Sequence, residues 1–207
     1  NTKYIPKDAF QLLEKREDVT EMLKLDKYID LIIPRGSNDF VRFVQSNTKI
    51  PVLGHSDGIC HAYVDKSYEE KKALDVCFDA KVQYPAVCNA IETLLVHEKS
   101  AKKFLPKIGK MYKDANVEIR CCNESFEILK DLKVKKAKEK DWSTEYNDLK
   151  ISIKIVKSLE DAVAHINKYG SHHTDTIITS DRKSADYFLN FVDSSSVMAN
   201  ASTRFAD

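Results

Sequence analysis

Glycine and proline are scarce, with five of each in 207 residues. Long flexible linkers and low-complexity architectures are thereby excluded. No apolar run is long enough to cross a bilayer, so no membrane partner is expected. A charged-then-apolar leader of the secretory kind is also absent, which points to a cytoplasmic protein. Net charge is only +1, so nothing marks nucleic acid or an anionic surface as the main partner. The one basic run, Lys133-Val-Lys-Lys-Ala-Lys-Glu-Lys140, reads as a solvated face. The five cysteines are odd in number and contain no Cys-x-x-Cys pair; a reducing compartment suits them best. The Asn-x-Ser sequons at Asn123 and Asn200 are then chance matches. No His or Cys pair has zinc spacing, and adjacent His172 and His173 cannot both face one ion from a regular element, so no metal is expected. Ser171, His172 and Asp175 lack the Gly-x-Ser-x-Gly elbow of a hydrolase. Walker and Gly-x-Gly-x-x-Gly loops are missing as well.

What is present is an alternation of short apolar runs and longer amphipathic ones. Strands are expected at 29–33, 61–64, 93–97, 117–121, 151–156 and 176–179. These runs are rich in Ile and Val, and several lack strict alternation, as parallel strands buried on both faces do. Ser67-Tyr-Glu-Glu70 reads as a capping box before a helix that turns Ala73, Leu74, Val76, Cys77 and Ala80 inward. Ser158 begins a second helix with Ala162, Val163 and Ile166 inward. Asp181 caps a third with Ala185, Phe188, Leu189 and Val192 inward. Residues 38–45 form another, with Phe40, Val41 and Val44. The segment 123–146 has no clear period and reads as the least ordered. The expected class is an α/β fold with a mostly parallel sheet.

One cysteine stands out. Cys88 follows Tyr84-Pro-Ala-Val and precedes a buried strand. In a turn near a helix start, a thiol feels backbone N–H groups and a partial positive charge, and both favour the nucleophilic thiolate. The alternative is an ordinary buried cysteine, which is common.

The stretch Tyr84-Pro-Ala-Val-Cys-Asn-Ala-Ile-Glu-Thr-Leu-Leu-Val-His97 resembles the nucleophile motif of gamma-glutamyl phosphate reductases, which also form the second half of pyrroline-5-carboxylate synthases. Four more stretches agree in the family's order: Tyr28-Ile-Asp-Leu-Ile-Ile-Pro-Arg-Gly-Ser37, Ile50-Pro-Val-Leu-Gly-His-Ser-Asp-Gly-Ile-Cys60, Tyr169-Gly-Ser-His-His-Thr-Asp175 and Asn200-Ala-Ser-Thr-Arg-Phe-Ala-Asp207. The family lies in the aldehyde dehydrogenase superfamily. The resemblance implies an aldehyde-dehydrogenase-like fold. Residues 1–56 would be the C-terminal part of a Rossmann-like cofactor domain. Residues 57–207 would be a catalytic domain, truncated before the family's glycine-rich C-terminal stretch.

It also implies a reaction: NADPH-dependent reduction of gamma-glutamyl phosphate to glutamate 5-semialdehyde in proline biosynthesis, through a Cys88 thioester. Gly36 and Ser37 would lie beside the cofactor phosphates, and Glu145 and Tyr146 at the nicotinamide ribose. Asp148-Leu149 departs from the superfamily's Gly-Pro there. His55, Asp57, Asn200 and Arg204 are candidates for the substrate side. Their plainer readings are a structural hydrogen bond for His55, a turn cap for Asn200 and an exposed Arg204. A glutamate kinase, separate or fused, is a possible partner, and the full-length form is expected to be a homo-oligomer. A mitochondrial location would suit a eukaryotic fused synthase. Two alternatives stand. An oxidising aldehyde dehydrogenase of the same fold carries a water-activating Glu upstream of its nucleophile, where this chain has Val52-Leu-Gly-His-Ser56. A non-catalytic interaction module would have no use for Cys88.

Overall fold

The computed structural model describes residues 4–6, 8–54 and 57–206. It divides into two compact units, Asn1–Ser56 and Asp57–Asp207.

In the first unit, helices α1 (Arg16–Met22) and α2 (Asn38–Ser46) accompany a small core of Leu23, Ile32, Val44 and Ile50. Ser37 caps α2, its hydroxyl accepting from the Phe40 N–H at 3.3 Å. Val41 and Val44 are buried as expected, whereas Phe40 stays 36% exposed. The strand expected at 29–33 shrinks to a single parallel bridge, Ile32 to Val52. Ile33 and Leu31 are exposed, so this apolar run is not sandwiched between layers.

The second unit is built on one sheet of seven parallel strands: β1 (Cys60–Val64), β2 (Ile91–His97), β3 (Glu118–Cys121), β4 (Lys135–Lys136), β5 (Lys150–Val156), β6 (Thr174–Ile178) and β7 (Ser196–Ala199). Their order is β4-β3-β5-β2-β1-β6-β7. Alternate residues feed opposite faces. Ala62, Val64, Leu94 and Val96 pack beneath helices α3 (Glu70–Val82), α4 (Glu98–Asp114) and α5 (Asn123–Leu129). Tyr63, Leu95 and Ile177 face α6 (Leu159–Tyr169) and α7 (Arg182–Phe191). Both faces are covered, which is why β1, β2 and β6 are buried at every position and show no alternation in sequence. Among the described residues no helix is long and apolar enough to cross a membrane.

Five of the expected strands and the helices at α2, α3, α6 and α7 are present. Ser158 and Asp181 cap their helices as expected. The capping box is not formed. Helix α3 starts at Glu70 with no side-chain cap, and the Ser67 carbonyl instead accepts from Ser180 N–H and the Thr179 hydroxyl, joining the ends of β1 and β6. On α7, Ser184 is buried and Leu189 is 42% exposed. The segment 123–146 is ordered. Cys122 sulfur accepts from Ser125 N–H at the start of α5, and β4 pairs with β3. Helix α4 has no counterpart in the sequence expectations because Pro106 and Gly109 interrupt its interior. Gly109 leaves room for its neighbours: a Cβ there would lie 2.8 Å from Leu129 Cδ2, so that side chain would have to shift.

Candidate active site

Cys88 lies in the turn 83–90, between the C-terminal end of α3 and the first residue of β2. No helix starts there, so the expected helix-dipole assistance is replaced by the opposite end of a helix. The turn sits at the amino-terminal edge of the parallel sheet. The carboxyl edge is the usual ligand side of open α/β sheets. Loops entering β1, β5 and β6 share the amino-terminal edge with Cys88, and these loops carry Gly58, Glu145 and Ser171.

Gly58 touches the Cys88 turn directly. A Cβ at Gly58 would lie 2.2 Å from the Cys88 carbonyl oxygen and 2.5 Å from its Cα. Only glycine permits this approach. The segment at Gly58 is held from two sides. Gly58 N–H donates to Glu145 Oε1 at 3.0 Å, and Ile59 N–H donates to Ser171 Oγ at 2.8 Å. One residue further, the Cys60 thiol donates to the Cys88 carbonyl at 3.1 Å.

The five cysteines separate by environment. Cys60, Cys77 and Cys121 are buried. Burial pushes the Cys60 and Cys77 thiols well above their ordinary range and Cys121 up to about 12, so all three are poor thiolates at neutral pH. Cys122 is half-buried but serves as the cap of α5, its sulfur 3.5 Å from both Ser125 N and Ile155 N. Cys88 is also half-buried, and it lies in a turn beside an exposed Tyr84.

A buried pair closes the base of that turn. Lys81 Nζ, from α3, and Glu92 Oε2, from β2, meet at 2.6 Å with both side chains fully buried. Burial drives Glu92 up to about 7 and Lys81 downward, while each partner pulls the other back towards its charged form. The second Glu92 oxygen accepts from Asn147 N–H at 3.2 Å. Asn147 adopts φ 51°, a left-handed geometry that Asn tolerates. Neither Lys81 nor Glu92 was among the sequence candidates. A lysine on the inward face of α3 and a glutamate at the start of a largely apolar strand were the available signals.

The other candidates fall in different places. The Tyr146 hydroxyl points into the fold, 2.8 Å from Ser152 Oγ and 3.1 Å from Asp141 Oδ1, under the Arg120 guanidinium. Asn200 turns the chain. At φ 58°, its Oδ1 accepts from Thr179 N–H and its Nδ2 donates to the Thr179 carbonyl. The following residues fold back along β6, where Thr176 Oγ1 donates to the Ala201 carbonyl. They carry Arg204 to the Cys88 turn, where its Nε donates to Gln83 Oε1 at 2.8 Å. Arg204 Nη1 is buried without a hydrogen-bond partner among the described residues. Asp57 precedes Gly58. Gly36, at φ 153°, and Ser37 lead into α2 in the first unit. His55 lies outside the described residues. Cys88, Gly58, Glu145 and Arg204 are thus gathered around one turn, while Tyr146 and Asn200 are occupied in holding the fold.

Comparison with known proteins decides what this arrangement resembles. The gamma-glutamyl phosphate reductase of Methanococcoides burtonii is 60% identical over 210 residues, covering 100% of this chain and 47% of that protein. Along its whole length, the chain resembles gamma-glutamyl phosphate reductases. The crystal structure of the reductase from Thermotoga maritima matches with a TM-score of 0.93 at 44% identity, over 99% of this chain and 49% of that one. The chain therefore spans about half the length of the reductases it matches. An acetylating aldehyde dehydrogenase from Geobacillus thermoglucosidasius, 19% identical, shares the fold with a TM-score of 0.70, over 93% of this chain and 50% of that one. No family model matches the chain. The aldehyde-dehydrogenase-like α/β fold and the resemblance to the reductases, both read from the five motifs, are borne out.

Proposed function

We propose that the protein containing this chain reduces gamma-glutamyl phosphate to glutamate 5-semialdehyde, with Cys88 as nucleophile. The observation that carries the proposal is the half-buried Cys88 in a turn seated on Gly58, in a chain similar throughout to the reductases. Residues 57–207 are then catalytic, and residues 1–56 belong to the cofactor domain.

The Cys88 thiolate attacks the acyl carbon. The C–S bond forms, the C–O bond to phosphate breaks, and inorganic phosphate leaves a thioester behind. This divides one difficult displacement into two easier steps. The Cys88 backbone N–H is suited to donate to the oxyanion, a contribution of about 3 kcal/mol when well aimed. When bound, NADPH supplies the hydride that converts the acyl group to the aldehyde. Gly36 and Ser37 suit its phosphates, because glycine at φ 153° allows close approach to the first turn of α2. Asp39 in that turn opposes an anion and limits the attraction. Glu145 accepts from Gly58 N–H through Oε1, and a carboxylate is the acceptor that a ribose hydroxyl takes. On the substrate side, Arg204 is the strongest candidate, because its buried Nη1 has no partner among the described residues and a guanidinium suits a carboxylate. Asp57 and His55 adjoin Gly58 in sequence. Asn200 would act through its turn.

The reductive direction accords with residues 52–54. Leu53 is exposed and Gly54 packs on Pro34, and neither can activate water against a thioester. Acyl phosphates hydrolyse in water, so a glutamate kinase, separate or fused, is the natural supplier. The full enzyme is read as a homo-oligomer of the cytoplasm, or of the mitochondrion in a fused synthase. Replacing Cys88 with Ala in the full-length enzyme is expected to abolish semialdehyde formation with folding retained. More than a trace of activity would contradict the proposal.

A further inference from the structure

We propose that Lys81 and Glu92 are positioning residues, whose buried contact across the base of the turn sets where Cys88 stands relative to the Gly58 segment. The inference rests on the reading of Cys88 as the nucleophile.

The pair sits where such a function is needed. Lys81 is two residues before the turn and Glu92 two residues after it, so their contact fixes the separation of the two ends. Within the turn, the backbone contributes one short-range hydrogen bond, Ala90 N–H to the Val87 carbonyl. The remaining restraints come from outside. Arg204 holds Gln83, and Cys60 holds the Cys88 carbonyl.

Glu92 then extends the restraint. Its second oxygen takes the N–H of Asn147, two residues beyond Glu145. Glu145 in turn accepts from Gly58 N–H, and Gly58 is packed on the Cys88 backbone. The contacts form a closed circuit from Cys88 through Glu92, Asn147, Glu145 and Gly58 back to Cys88. Every step is a hydrogen bond, a short stretch of chain or a backbone contact that admits no side chain. A shift of Glu92 therefore moves both walls of the nucleophile's seat together.

Stability alone does not explain the pair. Removing both charges from water costs about as much as their attraction returns, and apolar residues of the same volume fill such a site equally well. What apolar residues cannot do is hold one geometry by directed bonds to both a lysine and a backbone N–H. The other ionisable groups acting on the pair are Asp148 and Cys60 towards Lys81, and Glu145 towards Glu92. All belong to the same edge of the sheet.

The test uses the full-length enzyme carrying Lys81→Met/Glu92→Leu, Glu92→Gln or Cys88→Ala. Thermal unfolding, and kcat and KM for phosphate-dependent semialdehyde oxidation, are measured on each, and the rate of Cys88 alkylation by iodoacetamide on the parent and the first two. Positioning predicts that the first two variants fold and keep KM within about threefold. Their kcat should fall roughly ten- to a hundredfold, as displacement of a reacting atom by a fraction of an ångström does, and the alkylation rate should change with it. Parental kcat and alkylation in either folded variant overturn the proposal. Failure of both to fold assigns the pair to stability and overturns it equally. If the double variant alone fails to fold, Glu92→Gln decides, since it keeps the shape of the carboxylate. Activity retained in Cys88→Ala would instead overturn the reading of Cys88 on which the inference rests.

Discussion

Gly58→Ala is the smallest change that reaches Cys88, the proposed nucleophile. The added methyl carbon would lie 2.2 Å from the Cys88 carbonyl oxygen, 2.5 Å from its Cα and 2.7 Å from its carbonyl carbon. Ordinary contact starts at 3.4 Å, so the two segments must separate by about 1.2 Å (3.4 minus 2.2). All three contacted atoms are backbone, and no rotamer change relieves them. The backbone of Gly58 does not itself demand glycine, so the penalty is one of space. Overpacking of this kind costs about 1–3 kcal/mol of stability. The larger effect falls on chemistry: a displacement near 1 Å costs about 10²-fold in rate. The expected result for full-length Gly58→Ala is a folded enzyme with a modestly lower Tm and kcat reduced about a hundredfold. Steady-state kinetics of semialdehyde oxidation, with circular dichroism of the same samples, measures both. Parental kcat in the folded variant would refute the placement of Gly58 against Cys88.

Two further outcomes follow from the packing. Burial lowers the His165 imidazole to about 2, with His61, Lys154 and Lys168 adding to the shift. Its folded pKa is below its unfolded one, so its contribution is present above about pH 6.5 and fades as pH falls, by at most about 1.4 kcal/mol per pH unit. Urea unfolding at pH 7 and pH 5.5 should show this loss, and His165→Phe should flatten it; an unchanged slope in that variant would falsify the assignment. Asn200→Ala removes both hydrogen bonds to Thr179 and leaves alanine at φ 58°. A stability loss of about 1–3 kcal/mol is expected in urea titrations. An effect on KM without loss of stability would instead make Asn200 a direct substrate contact.

Much of the second unit was legible because its strands are short, β-branched and bounded by helices with clear starts. Where the reading failed, a specific interaction had overridden a local signal. Pro106 and Gly109 disguised α4, which tertiary packing holds regardless. Ser67 was expected to cap a helix but is used to join two strand ends. Residues 29–33 have the composition of a strand, yet among the described residues the run makes only the isolated Ile32–Val52 bridge. At the site, Cys88 was proposed from its motif, and the structure removes the helix-dipole argument for its reactivity, because no helix starts at its turn. Gly58 was quoted within a motif without a role, because its role depends on a contact 30 residues away in sequence. Lys81 and Glu92 were passed over for the same reason. Each looks anomalous alone and makes sense only opposite the other.

The central claim is that an acyl group is carried on Cys88, and it can be observed directly. Full-length enzyme is incubated with glutamate, ATP and a glutamate kinase, so that the acyl phosphate forms in place, with no nicotinamide present. Peptide mass spectrometry is then run with and without hydroxylamine, which cleaves thioesters. The account predicts a glutamyl adduct on the peptide containing Cys88, lost with hydroxylamine and absent in Cys88→Ala. An adduct on Cys60, Cys77, Cys121 or Cys122 instead, or no adduct from an enzyme that turns over once NADPH is added, would contradict it.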